Sequence, residues 1–334
     1  MIGRARLLLV MARPTVVVLL GFYAVVGLTQ AGSDDPWLLL RALLLVVSFL
    51  VCCLVVNDLG DEAIDRVNLP GDPSRPVASG LCTRRLFGVV GVTAAAVALT
   101  TSAFISGMVV AVVTAGLLLA GVYSLAPIRL SARGAVASMV LPAIYVGVPY
   151  TVGILSVRAQ LTSNDLILLG GLYVGFIGRI LLKDFRDLRG DALFGKRTFL
   201  VRHGRRATCT SSALCWVAGA AVLVSVGGAR PSYMAAQGLS AVAAVMLLRA
   251  LASDRGPRRD ERLISAIAIV GRGMIVILIC HLSMINAGSS ELLSGAVLAA
   301  LGAMTLGQAW TMLTRGPVVR MVVPNLTLRP LFHR

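Results

Sequence analysis

Ten long apolar runs, separated by short polar segments, divide the chain: 14–32, 37–56, 86–105, 108–123, 136–155, 166–183, 207–226, 233–251, 263–286 and 291–313. A helix that crosses the hydrocarbon core of a bilayer needs about 20 such residues. A water-soluble core made by 334 residues could not hide them all. Composition agrees: 57% of residues are hydrophobic and 14% charged, against about a quarter charged in an average soluble domain, and the mean hydropathy is +0.87. A soluble enzyme, a disordered chain and a disulfide scaffold are excluded. The fold class expected is all-α: a polytopic bundle of transmembrane helices.

The distribution of charge orients that bundle. The chain carries 31 basic and 15 acidic residues, a net charge of +16. In a soluble protein that excess would point to nucleic acid; between apolar runs it follows the positive-inside rule. With the N-terminus placed in the cytoplasm, 26 of the 31 basic residues fall in inside segments and two, Arg158 and Arg230, in outside loops; Arg41, Arg179 and Arg272 lie within runs. The split predicts an integral multi-pass protein of the cell membrane with both termini cytoplasmic and no nucleic-acid partner. The first run follows Arg4, Arg6 and Arg13 and is long enough to span, so it reads as a retained anchor. The six cysteines form no C-x-x-C pair and the three histidines are scattered, which argues against a zinc site.

The acidic residues carry the chemistry. Apart from Glu291, the first residue of the tenth run, none lies inside a run, and eight fall in two inside loops that the positive-inside rule would make basic. Asn57–Asp65 reads NDLGDEAID directly after the second run, and Lys183–Asp191 reads KDFRDLRGD directly after the sixth. Both have the spacing D-x-x-D-x-x-x-D: Asp58, Asp61, Asp65 and Asp184, Asp187, Asp191. Steps of three and four put each trio on one face of a helix. Four runs apart, the clusters share one membrane side and would face each other across a cavity. So many carboxylates repel unless cations join them. Mg²⁺ suits them, because it takes hard oxygen ligands and is usually held by a few carboxylates together with substrate phosphates. A third acidic loop, with Asp254, Asp260 and Glu261, lacks the spacing and is expected to be silent on substitution. Two of the cations within runs stand out: Arg179, one turn before Lys183, and Arg272 between Gly271 and Gly273. A charge there is costly and marks a functional candidate.

These segments resemble a known family. NDLGDEAID with Arg66, Asn68 and PSRPVASG (Pro73–Gly80) is similar to the first aspartate-rich motif of the UbiA superfamily of intramembrane prenyltransferases, and KDFRDLRGDALFGKRTF (Lys183–Phe199) to the second. YSLAPIRL (Tyr123–Leu130) resembles a third segment of the branch that includes chlorophyll synthases, with Ala126 and Ser131 departing from its pattern. The resemblance implies one integral-membrane domain over 1–334, with a motif-bearing core at about 10–226 and further spans over 233–313. It implies nine to ten helices around a central cavity, and an isoprenyl diphosphate whose allylic carbon passes to a hydrophobic, typically aromatic acceptor, with Mg²⁺ as cofactor and membrane lipids around it. It assigns catalysis to Asp58, Asp61, Asp184 and Asp187, and metal binding to these four with Asn57, Asp65 and Asp191. Substrate contact goes to Arg66, Tyr123, Arg129, Lys183, Lys196 and Arg197, with Arg179 and Arg272 as intramembrane candidates. A terpene cyclase on the same fold, or a membrane transporter, is the alternative; a transporter would more often carry its carboxylates at mid-membrane.

The charge split makes a testable statement. A cysteine introduced near Pro73 should react with an impermeant thiol reagent only from the cytoplasmic side; labelling only from outside would reverse the topology.

Overall fold

The computed structural model describes residues 13–185, 191, 193–226, 230–253 and 256–316. Each of the ten apolar runs falls in a helical segment, and no strand occurs among the described residues. In chain order these are α1 (Pro14–Gln30), α2 (Pro36–Gly60), a short α3 (Glu62–Asn68), α4 (Arg84–Ala103), α5 (Gly107–Ser124), α6 (Ala135–Pro142), α7 (Val148–Leu155), α8 (Ser163–Ile180), α9 (Phe199–Val226), α10 (Pro231–Ala252), α11 (Pro257–Asn286) and α12 (Glu291–Arg315). Among the described residues eight helices, α6 and α7 taken as one, are long and apolar enough to cross a membrane. The first and sixth runs form the shorter or less apolar α1 and α8.

Local chemistry sets the helix ends. Proline opens α1, α2, α10 and α11, where its missing N–H costs nothing. Side-chain oxygens of Asp35, Thr83, Ser106 and Ser290 cap α2, α4, α5 and α12, and Thr162 with Asp165 forms a capping box on α8. The fifth run is interrupted between its two prolines. α6 ends at Pro142, Ala143–Gly147 form a π-turn, and α7 resumes with Pro149 in its first turn. α9 bends at Gly204, whose φ of 75° lies outside the helical region.

Two glycine-lined crossings bring the backbones together. At α1 and α7 a Cβ on Gly27 would collide with the Tyr150 carbonyl oxygen, and one on Gly153 with that of Ala24. At α8 and α9, Gly219 meets the backbone of Gly171 and Gly175, while Ser212 Oγ donates to the Gly178 carbonyl at 2.6 Å. Small residues permit this closeness in a membrane, where lipid tails compete for apolar surface and packing drives association. At one end of the bundle Asp165, fully buried, ties three helices: it accepts from Gln30 (3.2 Å) and Arg158 (2.7 Å), and its carbonyl accepts from Tyr150. At the other end the start of α1, the ends of α2, α5 and α8 and the start of α6 converge.

The α1–α7 crossing predicts its own sensitivity. Gly27→Val and Gly153→Val should each destabilise the detergent-solubilised protein by about 1–3 kcal/mol or more, read as a fall in thermal midpoint. Gly170→Ala, with nothing within 4 Å of its Cβ position, should leave the midpoint unchanged.

Candidate active site

A cavity of about 570 Å³ opens where those helix ends meet. Asp61, Asp65 and Asn68 line one side, Asp184, Asp191, Lys183 and Lys196 the other, and Tyr123, Ser131 and Arg75 close it. The two acidic segments thus face one shared space, as their spacing predicts.

The first segment is not one continuous helix. α2 stops at Gly60, Asp61 takes φ −103°, ψ 9°, and α3 restarts at Glu62. Gly60 is needed there, since a Cβ would sit 2.6 Å from the Ser124 carbonyl oxygen at the end of α5. The break still leaves Asp58, Asp61 and Asp65 buried together, at 4%, 6% and 6% exposure. Cations hold them apart. Arg13 donates through Nη2 to both oxygens of Asp58, at 2.5 and 2.6 Å, and Arg75 donates to Asp58 Oδ1 at 2.5 Å. Arg75 Nε also faces Asp65 Oδ2 at 3.2 Å. Arg129 donates to Asp61 Oδ1 at 2.5 Å and to the Gly60 carbonyl at 3.0 Å, and Lys196 Nζ donates to Asp61 Oδ2 at 3.2 Å. The two non-glycine residues with positive φ among those described are Arg13 (47°) and Arg129 (40°), so local backbone strain is concentrated at arginines that serve this site.

These partners separate the carboxylates electrostatically. Burial pushes Asp61 up, but Lys196, Lys183 and Arg129 outweigh it and hold its carboxyl below the usual range. Asp65 goes the other way: burial, with Asp58 and Asp61 alongside, pushes it up to about 7.

In the second segment α8 ends at Ile180, and i→i+3 bonds from Leu182 and Lys183 tighten the chain into a turn. Asp184 reaches the cavity from there, and buried Asp191 lies 3.7 Å from Lys196 Nζ. Asp187 lies outside the described residues. Lys183 lines both this cavity and a second of about 310 Å³ beneath it, with Tyr123, Asn57, Cys53, Leu141, Ile144 and Tyr145. Asn57 donates to Asp61 at 3.3 Å. The π-turn places Tyr145 in that lower cavity, its ring stacked on Phe176 with centroids 6.1 Å apart.

Four expected contacts fall elsewhere. Arg66 is exposed and pairs with Glu62 one turn earlier on α3. Arg197 is exposed and does not line the cavity. Arg179 does not share Lys183's surroundings, because the helix ends between them; it lines a separate apolar cavity of about 430 Å³ with Tyr23, Phe176 and Trp216. Arg272 is half-buried on α11 and outside the acidic cavity, and its flanking glycines serve packing, Gly271 against Trp216 and Gly273 against Thr305. Asp260, expected in a loop, is instead buried in the first turn of α11 and bound by Arg205, which argues against its substitution being silent. Arg13 and Arg75 are the site cations that sequence reasoning passed over. Arg75 carried a signal, a cation between two short turns in an acidic loop; Arg13 read as an ordinary flanking charge.

Known proteins can be set beside this geometry. Over 151 residues the chain is 28% identical to the bacteriochlorophyll synthase 34 kDa chain of Chloroflexus aurantiacus, covering 45% of this chain and 47% of that one, so it spans about half that relative's length. It is 29% identical over 224 residues to the digeranylgeranylglyceryl phosphate synthase of Methanoregula boonei, 61% of this chain and 70% of that one. The solved structure of a UbiA homolog from Archaeoglobus fulgidus bound to DMAPP and Mg²⁺ superposes with a TM-score of 0.55 at 15% identity, over 91% of this chain and 98% of that one, which shows a common fold. The sequence model of the UbiA prenyltransferase family matches residues 17–270, and with two acidic segments meeting in one cavity, the chain belongs to that family.

Proposed function

We propose that the protein is a Mg²⁺-dependent integral-membrane prenyltransferase that moves an isoprenyl group from a prenyl diphosphate to a hydrophobic acceptor. One observation carries this reading: a cavity lined by Asp61, Asp65, Asp184 and Asp191 together with Lys183 and Lys196 adjoins a second, less polar one walled by Cys53, Ala120, Leu141, Ile144 and Tyr145, the two sharing Tyr123 and Lys183. A polar, anion-ready head site joined to a dry tail site is what an amphiphilic diphosphate requires.

The donor set fits Mg²⁺. Its side chains offer hard oxygens, and Asp65 Oδ2 accepts no hydrogen bond. Mg²⁺ is usually held by a few carboxylates together with substrate phosphate oxygens. Asp61, Asp65, Asp184, Asp187 and Asp191, with the Asn57 side-chain carbonyl, would hold it, and Asp58, which does not line the cavity and accepts from Arg13 and Arg75, would join them on release from those arginines. When bound, Mg²⁺ neutralises the diphosphate and stabilises it as a leaving group. Lys183, Lys196, Arg129 and Arg75 provide further positive charge toward the leaving oxygens. Cys53, Leu141, Ile144 and Tyr145 wall the lower cavity and exclude water from a developing allylic cation, which the faces of Tyr123 and Tyr145 favour.

The reading is tested by assaying diphosphate release and prenylated product from labelled geranyl, farnesyl and geranylgeranyl diphosphates, with and without aromatic acceptors. Full activity in EDTA would overturn it. Asp58→Ala and Asp184→Ala should each lower turnover by at least ~10²–10³-fold, and the double variant should be little worse than either, because groups acting as a unit are not additive. Wild-type turnover in Asp184→Asn alongside loss in Asp58→Asn would refute a shared site.

A pH dependence follows from Asp65. Its carboxyl, raised to about 7, keeps its proton below that pH, and a metal that takes the carboxylate must displace it. Apparent Mg²⁺ affinity should therefore weaken as pH falls below 7, by up to about tenfold per unit, with proton release on Mg²⁺ binding visible by calorimetry in buffers of different ionisation enthalpy. Asp65→Asn should flatten that dependence.

A further inference from the structure

The C-terminal helices α10 and α11 contribute no residue to the acidic cavity, yet one ion pair ties them to its second segment. Arg205 follows the Gly204 bend in α9. Its Nη1 donates to Asp260 Oδ1 at 2.9 Å and to the Leu251 carbonyl, at the end of α10, at 2.8 Å; its Nη2 donates to Asp260 Oδ2 at 2.5 Å. Asp260 stands in the first turn of α11, so this fork gathers three helices. The guanidinium also lies over the Phe185 ring, 5.0 Å from its centroid.

Phe185 directly follows Asp184. It packs against the cluster of Leu182, Leu251 and Leu263, and Leu182 is itself 1% exposed. The residues on either side of Lys183 and Asp184 are therefore anchored away from the cavity, while Lys183 and Asp184 face it. α8 ends at Ile180 and helical geometry resumes at Asp184, so residues 181–183 form the turn that aims Asp184. We infer that Arg205 and Asp260 are positioning residues: through Phe185 they strap the Lys183–Asp184 turn over the shared cavity. The catalytic consequence rests on the function proposed above; the placement of the turn does not.

A bidentate guanidinium fork beneath an aromatic ring is not replaceable by lysine, which offers a point charge and no planar face. Outer partners that orient ligating side chains typically cost about 10–100-fold in metal affinity or activity when removed.

The test compares Asp260→Asn, Arg205→Lys and Phe185→Leu with wild type and with Glu261→Gln, a change at the exposed neighbour of Asp260. Hydrogen–deuterium exchange on the ligand-free protein should show faster exchange over residues 181–185 in the first three, with residues 57–68 unchanged and Glu261→Gln like wild type. The same three should raise the Mg²⁺ concentration for half-maximal turnover and lower kcat/KM by about tenfold. Phe185→Leu keeps the ion pair and so guards against a folding defect in the charge variants. Unchanged exchange over 181–185 in all three overturns the strap, as does faster exchange spread evenly over α9, α10 and α11, which marks global loosening. Faster exchange confined to 181–185 in a protein that turns over no prenyl diphosphate leaves the strap standing and refutes the proposed function instead.

Discussion

Carboxylates buried at the end of an apolar bundle must be neutralised where they stand, and this requirement organises the acidic end of the molecule. Removing one partner from a buried ion pair strands the other at a cost on the order of 3–5 kcal/mol. Each cation that meets the need comes from a different element. Arg13 precedes α1, Arg75 lies between α3 and α4, Arg129 follows α5, and Lys196 follows the second acidic segment. Neutralising Asp58 and Asp61 therefore draws separate parts of the chain to one point. The strained backbone at Arg13 and Arg129 is offset by the ion pairs it permits.

The rest of the bundle supplies a dry frame. Glycine-lined crossings at α1–α7 and α8–α9 bring helices close enough that apolar side chains fill most of the interior. The fifth run is the exception: Pro142 and Pro149 bracket a π-turn that sets Tyr145 facing the lower cavity. Such π-turns are a recurrent way to aim a side chain at a functional site, and here one turns Tyr145 toward the cavity that adjoins the acidic one.

Much of this is legible in the sequence because the bilayer is a severe filter. Long apolar runs admit little but helices, and an acidic loop on the basic side stands out against its surroundings. Contacts made across the fold are less legible. Arg66 sits in the acidic motif and Arg13 only flanks an apolar run, yet Arg13 reaches Asp58 while Arg66 turns back to Glu62 on its own helix face. Asp260 has no motif around it, and its importance appears only when α9 brings Arg205 beside it. Arg179 and Lys183 are four residues apart, the spacing of one helical face, but the helix ends at Ile180 and sends them to different cavities.

The two acidic segments make the same point from one pattern. Both read D-x-x-D-x-x-x-D, and spacing alone predicts two matching helical faces. The first breaks at Asp61, just after a Gly60 that α5 approaches so closely that only glycine fits, and α3 resumes the helix at Glu62. The second leaves α8 through a tight turn held by Leu182 and Phe185 in the apolar cluster beside α10 and α11. Among the described residues both segments therefore interrupt a helix and resume it, the first at Glu62 after the break at Asp61 and the second at Asp184 after the turn at 181–183. The facing arrangement survives because both segments project their carboxylates into the same space, where Lys196 touches Asp61 of one and Asp191 of the other. That single lysine couples the halves of the site, so a change in charge on either segment is felt by both.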